Sequence, residues 1–308
     1  MFPKRMRADL ALLFCSFIWG ATFVVVEDAL ADVSVFTYLA VRFGLSAAVM
    51  SLIYWRSIRR LDWRTAWAGV QIGLFMFGGY AFQTTGMRFT TPSKAALITG
   101  SSVIIVPLIL AAVGRRRINA WVWAGAFCAF AGLYLLTIPP GGLSRMNLGD
   151  PIVFVGAVMF ALHVITIDRH VERHSVGALS FLQVATTAVL ATACLPILSA
   201  TRWEPPRLAW TGNLIFAVLV TAIGSTVIGF SLQVWAQQYT SPSHTAIFIS
   251  LEPVFATLTS WFFGAERLGG RTLLGAALIL VGILLAELKG PAPTVPESPE
   301  PLLPSIPE

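Results

Sequence analysis

The feature that most constrains this chain is a set of ten runs of mostly apolar residues separated by short polar breaks, each about the 20 residues that a hydrocarbon-spanning helix needs. They lie near residues 8–27, 34–55, 65–86, 93–113, 120–138, 151–168, 175–199, 209–235, 244–264 and 271–288. A 308-residue chain with 56% apolar and 12% charged residues is far from the composition of a soluble fold. The whole chain therefore reads as an all-α integral membrane protein. Basic residues precede the first run, as in a signal peptide. That run lacks a small-residue cleavage site and continues through FVVVED towards the next, so we expect a retained helix. Cys15, Cys128 and Cys194 each sit in an apolar run with no CxxC or Cys/His spacing, which points to buried thiols and to no metal site.

A net charge of +6 suggests nucleic acid at first sight, but the basic residues fall in the breaks and report topology instead. With a cytoplasmic N terminus, the inner breaks hold Lys4, Arg5, Arg7, Arg56, Arg59, Arg60, Arg64, Arg115, Arg116, Arg117, Arg169, Arg173 and Lys289. The outer breaks hold Arg88, Arg145, Arg202, Arg207, Arg267 and Arg271. That roughly two-to-one bias favours both termini being cytoplasmic, consistent with an even number of spans, and the chain is expected in the inner membrane. Residues 289–308, ending in GPAPTVPESPEPLLPSIPE, are proline-rich and acidic and are expected to form a disordered cytoplasmic tail.

The segment FTTPSKAALITG at 89–100 returns at 239–250 as YTSPSHTAIFIS. The same shift of 150 aligns Gly79 with Gly229, Gln83 with Gln233, Pro92 with Pro242, Gly125 with Gly275 and Gly132 with Gly282. A shift of 141 aligns Asp9 with Asp150, Glu27 with Asp168 and Ser34 with Ser175. The repeating unit is thus five runs, 8–138 and 150–288, and an odd unit must enter the membrane upside down on its second pass. A carrier can exchange the conformations of two inverted halves to open first one way and then the other. Glycines including Gly20, Gly44, Gly78, Gly79, Gly125, Gly132, Gly275 and Gly282 are expected to let helices approach closely.

Three strings carry a resemblance to a known family: IWGATFVVVEDAL in the first run, TTPSKAALITGSSVIIVPL in the fourth, and SLEPVFATLTSWFFGAERLGGRTLLGAALILVGILLAE across the last two. They resemble EamA-type permeases of the drug/metabolite transporter superfamily over roughly residues 8 to 288. The resemblance implies ten helices as two inverted EamA repeats around a central cavity, cytoplasmic termini, and secondary transport of a small organic solute. It leaves the solute open, because one such scaffold serves many chemistries. The second copy lacks the lysine of the first, and the first has Ser102 where the second has Glu252, so the halves are chemically unequal.

Ionisable groups at bilayer depth must face a cavity or a partner. Glu252 falls near the middle of the ninth run, where a continuous helix would put His244, Phe248 and Glu252 on one face. Pro253 removes an amide there and is expected to kink the helix by freeing the Ile249 carbonyl. Glu252 has two readings, an ion pair with Arg42 or a proton or solute site. Lys94, in the first turn of the fourth run, either snorkels to water or adds a donor for an anion at a helix N-terminus. His244 holds the corresponding place at the opposite side. Trp19, Tyr80 and Gln83 are further candidates to contact solute, followed by Thr22, His163, Gln233 and Trp235, each of which suits helix packing or the membrane interface equally well. No HExxH, GxSxG or GxxxxGK[ST] string is present, and no cofactor is expected. The rival reading is a membrane-embedded enzyme acting on a lipid or isoprenoid phosphate through Arg42, Lys94 and His244, which requires those groups to converge at one surface.

Overall fold

The computed structural model describes residues 3–90, 92–113, 118–138, 147–262 and 269–289. Arg115, Arg116, Arg117, Arg145, Arg267 and the tail beyond Lys289 lie outside the described residues, as do the side chains of Glu27 and Lys94. The described residues are helical, with one isolated bridge between Val33 and Leu208. The helices are α1 (Lys4–Ala29), α2 (Val35–Ile53), the single turn α3 (Trp55–Ile58), α4 (Trp63–Gly86), α5 (Pro92–Gly100), α6 (Ser102–Ala112) and α7 (Ala120–Thr137). Then come α8 (Gly149–Val171), α9 (Val176–Ala200) and α10 (Gly212–Leu219), followed by a π-helical segment (Val220–Ile228), α11 (Gly229–Ala236), α12 (Pro242–Ile249), α13 (Glu252–Phe262) and α14 (Gly270–Lys289). Four helical stretches are long and apolar enough to cross a membrane: Val35–Ile53, Gly149–Val171, Val176–Ala200 and Gly212–Ala236. The fourth and ninth runs, expected as single helices, are each broken in two, at Ser101 and at Ser250–Leu251.

Small residues decide which helices pack most closely. On α7 and α14, a Cβ on Gly125 would lie 2.5 Å from the Gly282 carbonyl, and one on Gly132 would lie 2.5 Å from the Gly275 carbonyl. The partner number falls as the first rises, so the two helices are antiparallel. Because Gly125 matches Gly275 and Gly132 matches Gly282 in the repeat, residue i of one copy meets residue j of the other and j meets i. That is the pattern of a two-fold contact. Gly69 and Gly73 of α4 similarly press on Leu182 and Thr186 of α9, and Gly79 and Gly86 press on Phe160 and Val153 of α8. Gly44 is a correction to the expectation, since nothing stands within 4 Å of a Cβ placed on it.

The connections gather at two ends. At one, Asp32 accepts from Thr211, Arg88 pairs with Glu204 at 3.3 Å, and Thr90 donates to Asp150. Glu204 also accepts the Val35 and Phe36 amides, which caps the start of α2. At the other end, Lys4 lies over the Tyr239 ring, and Thr65 hydrogen-bonds His174 at 2.8 Å.

Two alanine substitutions separate close packing from propensity. Gly132→Ala drives a methyl into backbone and should cost about 1–3 kcal/mol, whereas Gly44→Ala should be neutral or stabilising by up to about 1 kcal/mol. Thermal unfolding in detergent measures both, and equal effects at the two sites would contradict the packing described.

Candidate functional site

Arg42 sits in the middle of α2 and is 4% exposed. A buried guanidinium needs partners for its donors, and they come from other helices. Nε donates to Thr226 Oγ1 at 3.0 Å, and one terminal nitrogen reaches the Tyr80 hydroxyl at 3.4 Å. The guanidinium also lies 5.1 Å from the Tyr80 ring centre and 5.2 Å from that of Phe43, both within cation–π range. Tyr80 in turn meets Phe43, Phe160 and Phe230 edge to face, so the ring that covers the cation is itself held by aromatic rings from α2, α8 and α11.

Thr226 belongs to the π-helical segment, whose wider turn is marked by its hydroxyl reaching back to the Thr221 carbonyl, five residues earlier. Such a turn leaves carbonyls misaligned with the α ladder, and in a hydrocarbon setting they need other donors. Ser46 of α2 donates to the Ala222 carbonyl at 3.1 Å, and the Trp19 indole of α1 donates to the Ser225 carbonyl at 2.9 Å. Hydroxyl pairs Thr22–Ser225 and Tyr38–Thr221, each 2.9 Å, complete the contact. The matching residues 70–78 of α4 stay α-helical, so this feature occurs in one half of the chain.

Glu252 is the first residue of α13 and is half-buried. The helix breaks just before it. Ser250 and Leu251 bond to the carbonyls of Ile247 and Phe248, three residues back, and the Ser250 hydroxyl turns onto the Ile247 carbonyl. Helix α1 covers the gap: Ser16 donates to the Phe248 carbonyl at 2.8 Å, and a Cβ on Gly20 would meet the Glu252 carbonyl at 2.3 Å. Pro253 is not the common cause of such a break. The first half breaks at the matching Ser101, two residues before Val103, and Ser101 likewise bends its hydroxyl onto Ile98. His244, Phe248 and Glu252 therefore do not share one face of one continuous helix.

The structure brings several of the expected residues together and separates others. Arg42, Tyr80 and Trp19 converge on the π segment and Phe230, with Trp19 5.1 Å from that ring. Glu252 is within electrostatic reach of Arg42 and Tyr80. Among the described residues, no direct ion pair joins Arg42 to Glu252. Gln83 stands apart, its amide donating to Thr99 of α5 at 3.0 Å. His163 of α8 bonds Gln183 of α9 at 2.8 Å and abuts Phe230, while Gln233 is buried in α11 and Trp235 packs on Tyr239. His244 is buried in the first turn of α12, whose start is capped by Ser241. The Lys94 backbone lies in the first turn of α5, near the Thr90–Asp150 contact and thus at the end opposite His244. Thr221, Ser225, Thr226, Tyr38 and Phe230 complete the cluster without having been singled out in the sequence. The signal that finds all of them but Tyr38 is three hydroxyls and two glycines in the otherwise apolar string VTAIGSTVIGF.

With this geometry in place, comparison with known proteins is decisive about the family. The profile of the EamA-like transporter family matches residues 6–138 and again 147–288. The chain belongs to the EamA-like transporter family. An uncharacterized transporter of Archaeoglobus fulgidus is 32% identical over 93% of this chain and 87% of its own length. The uncharacterized transporter YyaM of Bacillus subtilis is 26% identical over 92% of this chain and 94% of its own. A solved crystal structure superimposes with a TM-score of 0.77 at 21% identity, covering 92% of this chain and 97% of that one, which speaks to the fold. This EamA-family chain is a membrane transporter, and its relatives are named as transporters rather than enzymes.

A double-mutant cycle tests the central contact. Arg42→Gln and Thr226→Val should be non-additive in unfolding free energy by about 1.5–3 kcal/mol, the range for a hydrogen bond to a charged group. Additivity within about 0.5 kcal/mol would show that the two side chains do not act as a pair.

Proposed function

We propose that this transporter moves a small organic solute across the inner membrane by alternating access, its ten spans forming two inverted five-helix repeats. The observation that carries this reading is the reciprocal, antiparallel glycine contact of α7 with α14, in which each copy offers the other the same two positions. If these helices cross the bilayer, the two-fold axis through that contact lies in the membrane plane. The matched breaks at Ser101 and Ser250–Leu251 add to it, since broken helices at the midplane supply backbone and half-helix ends to a transported solute. The positive charge gathered at the end bearing Arg56, Arg59, Arg60, Arg64, Arg169 and Arg173 supports a cytoplasmic location for that end and for both termini.

Within this scheme Glu252 is the residue that couples transport to protons. It opens a half-helix, is partly accessible, and has no direct ion pair with Arg42 to keep it occupied. Arg42 is the fixed cation beside it, Tyr80 and Trp19 form the aromatic wall, and Gln83 of α4, apart from this cluster, contributes near the first break through Thr99. Lys94 and His244 occupy matched positions at opposite ends of the pathway. Their separation weighs against a phosphate-processing enzyme, which needs Arg42, Lys94 and His244 at one surface.

A thermal-shift screen against amino acids, sugars, nucleosides and cationic drugs identifies a ligand first, because a ligand of the folded state raises its melting point. In proteoliposomes, Glu252→Gln should then abolish accumulation driven by a pH gradient while solute exchange without a gradient persists. Normal pH-driven accumulation in that variant rules out the coupling role.

A further inference from the structure

Beside α3, well away from the cluster around Arg42, the chain forms a cavity of about 210 Å³ lined mainly by Arg56, Ser57, Arg60, Thr65, Ser175 and Ala178. Two arginines face the hydroxyls of Ser57 and Ser175 and the first turn of α9, where Ser175 caps the helix by accepting from the Ala178 amide, while the Thr65 hydroxyl is engaged by His174. The opening amides of that helix have no intrahelical acceptors, and its dipole adds positive potential. The cup therefore offers guanidinium, hydroxyl and backbone donors to an anion, the set that suits a phosphate.

The surroundings identify the source of that phosphate. Directly beside the cup, the end of α2 exposes Leu52 at 76% and Ile53 at 55%, a surface suited to acyl chains. Trp63 is 79% exposed, Trp67 and Trp55 are exposed too, and Arg56 and Arg59 lie over the Trp55 ring. Exposed tryptophans mark the level of lipid headgroups. The cavity is smaller than the roughly 300–1,000 Å³ that encloses a drug-sized molecule, so it suits a headgroup whose tails remain outside.

Two acids lie nearby. The Asp62 carboxyl is engaged by Thr65, whose hydroxyl and amide hydrogen bonds hold it below the usual carboxylate range, and Glu172 is exposed at the end of α8. Against them stand Arg56, Arg59, Arg60, Arg64, Arg169 and Arg173, so the end remains strongly cationic.

We propose that the cup between α3, α4 and α9 binds the phosphate of an anionic phospholipid from the surrounding bilayer. The site rests on the membrane location of this family member and not on the transport mechanism, so it stands or falls separately from the Glu252 assignment.

Native mass spectrometry of the full chain, titrated with phosphatidylglycerol or phosphatidylcholine, tests it. Wild type should retain phosphatidylglycerol preferentially. Arg56→Gln with Arg60→Gln should weaken that binding about 30-fold, from the roughly fivefold that each juxtamembrane basic residue is worth. The control pair Arg169→Gln with Arg173→Gln removes the same charge at the same end but outside the cup lining, and should weaken binding by less than about tenfold, since those side chains act on the phosphate only through a partly screened field. All three proteins are first matched for thermal unfolding, since the four arginines are exposed and not needed for the core. Equal retention of the two lipids, an equal loss in the control pair, or displacement of phosphatidylglycerol by millimolar inorganic phosphate would each overturn the proposal, the last by making the cup a soluble-anion site.

Discussion

A backbone carbonyl that leaves its helical ladder inside a hydrocarbon layer must find another donor, and the central architecture of this transporter is organised around that requirement. The ladder is interrupted at Ser101, at Val220–Ile228 and at Ser250–Leu251. At the π segment, Trp19 and Ser46 supply donors, and Arg42 fastens its Thr226 hydroxyl. At the second break, Ser16 does the same for Phe248. The helices that make these repairs, α1 and α2, are thereby held against the broken ones. The same contacts bring Arg42, Tyr80, Trp19 and Glu252 into one neighbourhood, so the cost of irregular backbone and the assembly of a polar site are two sides of one arrangement.

The repeat supplies a scaffold twice but its chemistry once. Glu252 opens α13 where Ser102 opens α6, and the π segment stands where α4 runs straight. A carrier of two equal halves would hold identical groups in both of its end states. In the proposed scheme the carboxylate of Glu252 has no counterpart in the first half, so its protonation would bias one end state over the other.

Much of the scaffold was legible in the sequence because it depends on residue type and spacing. Apolar length located the helices, and the reciprocal glycines at 125, 132, 275 and 282 followed from the shift of 150. Arg42 and Glu252 stood out because charge is rare in such runs. What escaped depends on geometry that spacing does not encode. A π turn has no sequence period of its own over nine residues, so spacing alone does not single out Thr221, Ser225 and Thr226. Pro253 drew the explanation of the helix break to itself, although Ser101 breaks its helix with Val103 in the matching place. Gly44 shows the limit in the other direction, a small residue with no neighbour to admit.

The central claim is that two inverted halves exchange shapes, and the distances between α1 and α8 test it most directly. These helices correspond at a shift of 141, so residue 7 matches 148 and residue 28 matches 169. Arg7, Asp28, Leu148 and Arg169 are all exposed and accept spin labels. Labels at Arg7 and Arg169 report one end of the pair, and labels at Asp28 and Leu148 report the other by the same internal symmetry. The account predicts that pulsed electron spin measurements in lipid nanodiscs find the first distance lengthening as the second shortens when pH or ligand is changed. Two distances that both stay fixed, or that move in the same direction, would contradict it.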